Sequence, residues 1–248
     1  MTRKEIDDQR GELVVKSNEL LRQSRYSLDA VEQKIIVYLI SKIRPDDTEL
    51  DNVRIKLSEL FSLMGIQDGG ESYVRLKRII KGIRDKSWWI TSGEKDILFS
   101  WIDAAEIEHG VVTLRLSDSL KPHLLALRER FTQYEMVNIL VLRSRYAIRL
   151  YELFMSYRYQ GEWVVSVAEL RDILQTGDKY KDYRDFRKRV LTPSLKEINK
   201  YTDLTVEMET IRMGRRIESL RFTIKKVEGL QMVWDVVLNQ RERLGDEC

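Results

Sequence analysis

Few side chains in this 248-residue sequence are suited to imidazole or thiolate chemistry, and their spacing gives them little to do. His109 and His123 stand 14 positions apart, so neither a His-x-His pair nor a zinc-ligand spacing is present. Cys248 has no second cysteine, which excludes a disulfide framework or a cysteine zinc site and suits a reducing compartment. Glu106 and Glu108 share one face of an expected strand and could hold Mg²⁺, but an exposed acidic turn explains them more simply. A recombinase-type His-x-x-Arg fails at Val112 and at Ala126, and no Gly-x-x-x-x-Gly-Lys or Gly-x-Gly-x-x-Gly loop occurs to cradle a nucleotide. No catalytic residue, metal or cofactor is expected, and the chain is not expected to be an enzyme.

Cations are the abundant polar resource, and their placement matters more than their sum. Forty-three Lys and Arg against 40 Asp and Glu leave a formal charge of only +3. Yet residues 72–86 hold six basic side chains and one acidic, residues 179–189 six and two, and residues 211–226 six and one. A single such island is ordinarily a solvated helix face. Two at equivalent places in a repeated unit, the second followed by an arginine-bearing hairpin, point to the phosphates and base edges of duplex DNA.

The elements that must position these cations form a repeat. A shift of 110 places Leu57-Ser58-Glu59-Leu60 on Val167-Ala168-Glu169-Leu170, Tyr73 on Tyr183 and Leu76 on Phe186, and a shift of 114 places Ile36, Leu39 and Ile40 on Leu150, Leu153 and Phe154. In the first copy, Ser27 is the expected cap of a helix carrying Val31, Ile35 and Leu39 before Pro45. A strand follows at Val53 to Leu57, then a helix capped by Ser58 and stopped at Gly65, then a helix with Leu76, Ile79, Ile80 and Ile83 inward. Segments Ile97 to Ile102 and Val111 to Leu116 are expected to pair as a hairpin around Gly110. The second copy repeats the order: a helix from Arg145 to Tyr157, a strand at Trp163 to Val165, a helix from the capping box Ser166-x-x-Glu169, and a basic helix with Phe186, Val190, Leu195 and Ile198 inward that Pro193 should kink. Its hairpin, Leu204 to Met208 with Ile217 to Ile224, turns near Gly214.

Helix, strand, helix, helix, hairpin is the order of a winged helix. The expected fold class is therefore α+β, mainly helical, with two tandem winged-helix domains related by an internal repeat. They span 12–128 and 129–228, with a tail at 229–248. The second helix of such a motif enters the major groove, so its outward residues are the candidate DNA-binding groups. These are Tyr73, Arg75, Lys77, Arg78 and Lys81 in the first domain, and Lys181, Tyr183, Arg184, Arg187, Lys188 and Arg189 in the second. Arg212, Arg215 and Arg216 at the second hairpin turn join them. The first hairpin instead carries Asp96, Asp103, Glu106 and Glu108 against Lys95 and Arg115, which would repel phosphate. Its strand Val111 to Leu116 is expected either as an edge able to pair with another chain or as a strand buried in its own domain. The tryptophans, Trp88-Trp89 among them, are expected in packing.

No apolar stretch approaches the roughly 20 residues a bilayer span needs; Ile139 to Leu142 is typical, and the opening MTRKEIDDQR lacks a signal-peptide pattern. A cytoplasmic location with no membrane partner is expected.

The residues also carry a resemblance. Leu13-Val14-Val15-Lys16-Ser17-Asn18-Glu19-Leu20, Tyr26-Ser27-Leu28 and Glu32-Gln33-Lys34 resemble the opening of the iteron-binding plasmid replication initiators. Ser144 through Leu153, Phe186-Arg187-Lys188-Arg189-Val190-Leu191-Thr192-Pro193 and Lys196-Glu197-Ile198-Asn199 resemble their second domain, and the similarity covers roughly residues 12 to 226. The resemblance implies two winged-helix domains, with monomers on directly repeated origin sites of double-stranded DNA and the second domain making the stronger base contacts. It further implies a homodimer, formed through the first domain in equilibrium with monomer, that represses its own gene at an inverted repeat. A host replication initiator and the replicative helicase are the implied protein partners. The stretch Leu230 to Leu244 is amphipathic and matches nothing in the family. The alternatives are a dedicated transcriptional repressor, which would need only a single inverted repeat, a nicking or recombinase enzyme, which would need metal-dependent cleavage, and a protein-interaction module, whose binding would be insensitive to salt.

Overall fold

The computed structural model describes residues 12–65, 69–92 and 94–227. The opening MTRKEIDDQR, the stretch 230–244, the tail 229–248 and Cys248 lie outside the described residues. The chain packs as two units, one ending at Met136 and one beginning at Val137.

The first unit opens with strand β1 (Leu13–Ser17) and a short helix, Asn18–Gln23. The Ser17 hydroxyl caps that helix by accepting from the Leu20 N–H at 3.1 Å. The next helix, Ala30–Ser41, starts two residues later than Ser27 would place it. Asp29 is its cap: the Asp29 carboxylate accepts from the Glu32 N–H at 2.8 Å while Glu32 accepts from the Asp29 N–H at 2.7 Å. Strand β2 (Val53–Lys56) leads directly into the helix Leu57–Met64, whose N-cap is Lys56 without a side-chain bond, so Ser58 is not the cap. Gly65 ends this helix at φ 67°, the left-handed conformation that suits glycine. The basic helix is Gly70–Arg84, with Leu76, Ile80 and Ile83 buried and Ile79 half-buried.

The expected pairing of Ile97 to Ile102 with Val111 to Leu116 is not made. Strand β3 (Ser87–Ser92) pairs instead with β4 (Lys95–Ser100), and a second hairpin joins β5 (Ile102–Glu108) to β6 (Val111–Leu116). The chain breaks between them at Trp101. Its ring is buried against Trp88 and Tyr26, at 4.9 and 5.1 Å between centroids, and this packing overrides continued alternation. Trp89, opposite Leu98, is exposed rather than packed. Nor is β6 an edge: the sheet order is β2, β6, β5, which puts Val111–Leu116 in the centre with Val112, Leu114 and Leu116 buried. After a short helix, Lys121–Leu124, strand β7 (Phe131–Glu135) pairs along the whole of β1. That pairing carries the first unit past the boundary expected at residue 128.

The second unit contains the helices Val137–Leu140 and Arg145–Tyr157, strand β8 (Glu162–Ser166) and the helix Val167–Ile173. The Ser166 hydroxyl caps the last of these through the Glu169 N–H at 3.1 Å. A helical run then extends from Tyr183 to Tyr201, followed by β9 (Leu204–Met213) and β10 (Arg216–Lys226). Sheet order β8, β10, β9 reproduces the first unit's wiring, with the last strand in the middle. The repeat is therefore structural. Leu60 and Leu170 are both fully buried, as are Leu76 and Phe186, and Leu39 and Leu153. Both units are winged helices, in a fold of mixed helix and sheet.

Pro193 acts through a change of helical pitch. Residues Arg187–Leu191 form a π turn between the α-helical segments Tyr183–Phe186 and Thr192–Tyr201. A wider turn relieves the clash of the Pro193 ring with the Arg189 carbonyl and absorbs its missing N–H. One extra residue rotates the following face by about 100°. Leu191, Ser194 and Ile198 are consequently buried while Leu195 is only half so.

Candidate nucleic-acid interface

In the second unit the basic run begins where Asp182 accepts from the Arg184 N–H at 2.6 Å. The loop before it is braced from the preceding helix: Arg171 donates to the Tyr180 and Lys181 carbonyls, the latter at 2.8 Å, and its guanidinium lies 5.1 Å from the Phe186 ring. Arg184, Arg187 and Lys188, three and four residues apart, share one exposed face and have no acidic partner among the described residues. Arg189 is also exposed but lies 3.8 Å from Asp185. Two expected groups stand differently. Lys181 belongs to the loop and pairs with Asp178 at 3.0 Å. Tyr183 turns its hydroxyl inward, where the oxygen is buried without a hydrogen-bond partner among the described residues, and burial raises its pKa against the opposing Arg187 charge.

The end of the run is tied to the wing and to the helix Arg145–Tyr157. The Asn199 amide donates to the Val206 carbonyl at 2.9 Å and accepts from the Val206 N–H at 2.8 Å. Glu197 accepts from the Arg143 and Ser144 N–H groups, the latter at 3.3 Å, capping that helix together with the Ser144 hydroxyl. The polar residues of Lys196-Glu197-Ile198-Asn199 thus include two that hold the scaffold. On the wing, Arg212, Arg215 and Arg216 are exposed around the turn, again without acidic partners among the described residues.

The first unit presents a thinner version. Arg75 and Arg78 are exposed and unpaired among the described residues, Lys77 lies 4.7 Å above the Tyr73 ring, and Lys81 pairs with Asp85 one turn on. A cleft of about 560 Å³ separates this helix from β5, lined by Tyr73, Lys77, Lys81 and Arg84 on one side and Asp103 and Ala104 on the other. Arg84, absent from the sequence expectation, donates to the Asp103 carbonyl at 3.2 Å. The wing turn here is His109-Gly110, flanked by exposed Glu106 and Glu108. Asp96 belongs to the β3–β4 hairpin instead, bonded to Thr91 at 2.7 Å.

Among the described residues no group of three or more His, Cys, Asp or Glu is placed to hold a metal, and no helix is long and apolar enough to cross a membrane. His109 is exposed on its turn. His123 is buried, with Nδ1 2.8 Å from the Ser17 hydroxyl.

Two family models match the chain: "Initiator Replication protein, WH1" over residues 13–155 and "Initiator Rep protein, WH2" over residues 166–224. The chain belongs to this family of replication initiators. It is 23% identical to a replication initiation protein of Escherichia coli over 96% of this chain and 77% of that one. It is 24% identical to a probable replication protein of Bifidobacterium longum (strain NCC 2705), over 87% and 73%. To the PI protein of Escherichia coli it is 27% identical, over half of this chain and 47% of the relative. Among solved structures, domains 2–3 of RctB align with a TM-score of 0.44 at 15% identity, covering 86% of this chain and 83% of that one. As a winged-helix initiator it binds DNA in the initiation of replication, in a family that is not an enzyme class. The first family model runs into the helix Arg145–Tyr157, which here packs in the second unit: the Tyr151 hydroxyl donates to Asp203 at 2.8 Å.

Proposed function

We propose that this initiator binds directly repeated origin sequences of duplex DNA as a monomer. Its second unit reads bases while its first grips backbone. The observation that carries the division is the asymmetry of the two wings: one turn is flanked by Arg212, Arg215 and Arg216, the other by Glu106 and Glu108. The unit with the arginine wing also carries helix cations, and Arg184 and Arg187 have the forked geometry that bonds guanine edges. In the first unit the charge is lower and Lys77 is a point charge, which suits phosphate. A homodimer formed through the first unit, in equilibrium with monomer, represses the initiator's own gene at an inverted repeat in this reading. Since β6 is central, the self-association surface falls elsewhere, and the exposed cross-strand pair Trp89 and Leu98 on β3–β4 is the apolar patch that suits it. A host initiator and the replicative helicase complete the partners, and the site of action is the cytoplasm.

Footprinting of the full chain on DNA flanking its gene tests this. Protected direct repeats about two helical turns long are expected, since successive major grooves recur about 34 Å apart. Protection of a single inverted repeat alone would make the protein a dedicated repressor.

A further inference from the structure

We propose that Met213 is an apolar wedge that the second wing drives into the minor groove, unstacking one base step and bending the duplex there; the proposal rests on the DNA-binding reading above. Met213 is 75% exposed at the apex of the β9–β10 hairpin, paired with Arg216 across a turn made by Gly214 and Arg215. A lone exposed methionine needs no explanation, but this one coincides with two further features. The first is projection. Strand β8 pairs with β10 only over Ser219–Thr223, so the rungs Ile217 to Arg212 and Arg216 to Met213 extend past the three-stranded sheet by about 10 Å at about 3.3 Å per residue. A register shift between Ile217 and Ser219 adds local twist at the base of this projecting part. In the first unit β2 pairs right up to Val111 beside the turn, and nothing projects.

The second feature is charge. Arg212, Arg215 and Arg216 neighbour Met213 along the hairpin tip, Arg216 as its cross-strand partner, and have no acidic partner among the described residues, so the tip carries an apolar point among unpaired arginines. A narrow minor groove, about 6 Å wide, draws arginine by its enhanced negative potential and admits a two-residue turn. Gly214, at φ 62° with open space where a Cβ would stand, keeps the turn slim. An unbranched, polarisable thioether between arginines that hold both phosphate rails then slips between bases at a flexible step, and its burial together with the added contacts offsets the lost stacking.

The test uses the full chain and a duplex isolated with it from a random 30-base-pair library. 2-Aminopurine is placed at successive steps under the footprint, and a dye pair at the ends reports bending. Unmodified protein should raise 2-aminopurine fluorescence at one step and shorten the end-to-end distance. Met213→Ala should abolish both signals and weaken binding about tenfold or more, and Met213→Leu should retain them. As the side chain is exposed, neither change threatens folding. Met213→Ala binding with the unmodified fluorescence and bend would overturn the wedge, as would weaker binding with the bend intact. Recovery of no duplex by the unmodified chain would overturn the DNA-binding reading itself.

Discussion

Side-chain identity decides what each cation can do. Arginine can bond guanine through two parallel N–H groups at about 1 to 3 kcal/mol of discrimination, whereas a lysine ammonium meets phosphate without regard to sequence. Arg184→Ala or Arg187→Ala should therefore relax preference at one or two base positions, and Lys77→Ala should weaken all sites about equally. Competition against a library of single-base variants measures both. The reverse pattern would exchange the roles of the two units. His123 has a different consequence. Burial between Ser17 and Phe99 lowers its pKa, and the Glu19 carboxylate 4.0 Å away opposes this less strongly. Between that lowered value and the ordinary value of about 6.5 the unfolded chain binds more protons than the folded one. Stability is therefore full above about pH 6.5 and falls as pH drops through this window. Thermal melts from pH 8 to 5 should show the decline for the native chain and a shallower one for His123→Gln.

At the scale of elements, burial separates residues that carry the fold from residues free to meet a partner. Val112 is fully buried in the central strand of its sheet, so Val112→Lys should cost more than about 3 kcal/mol and unfold the first unit rather than shift association. Leu98→Lys, on the exposed face of β4, should leave the melting temperature nearly unchanged and move the sedimentation profile toward monomer. A dimer constant untouched by Leu98→Lys would remove that hairpin from the interface. In the second unit Asn199 replaces a backbone partner for both polar groups of Val206. Asn199→Ala should lower stability by about 1 to 2 kcal/mol, at about 1 kcal/mol for each bond, as read from the denaturant midpoint.

For the whole molecule, charge distribution outweighs net charge. With a formal charge of only +3, long-range attraction to DNA is weak overall, yet Arg184, Arg187, Lys188, Arg212, Arg215 and Arg216 of the second unit and Arg75 and Arg78 of the first are exposed with no acidic partner among the described residues. If about 6 to 10 cations meet phosphate, affinity should fall roughly 10³- to 10⁵-fold between 50 and 200 mM salt. Filter binding across that range is the measurement, and a flat response would mean that the cations are solvated and not engaged.

The doubling of the fold was legible in the sequence because helical periodicity is a local property: the stripe through Leu57, Leu60 and Leu76 repeats as Val167, Leu170 and Phe186 whatever surrounds it. Helix stops at Gly65 and the span Arg145 to Tyr157 were legible for the same reason, since caps and glycine conformations act within a turn. Strand partnership was not. Alternation in Ile97 to Ile102 suits any antiparallel partner of equal length, and only burial of Trp101 against Trp88 and Tyr26 splits it from the wing and places β6 between β2 and β5. The inward turn of the Tyr183 hydroxyl, the loop position of Lys181 and the tie from Asn199 to Val206 likewise depend on packing between segments distant along the chain. So does the Met213 projection, because it measures how far β8 falls short of a hairpin formed some fifty residues later. Local sequence determined which segments are helices and where the cations lie along the chain; tertiary packing decided which strands pair and which cations and apolar groups are left facing solvent, because pairing and exposure are settled by partners that no local window contains.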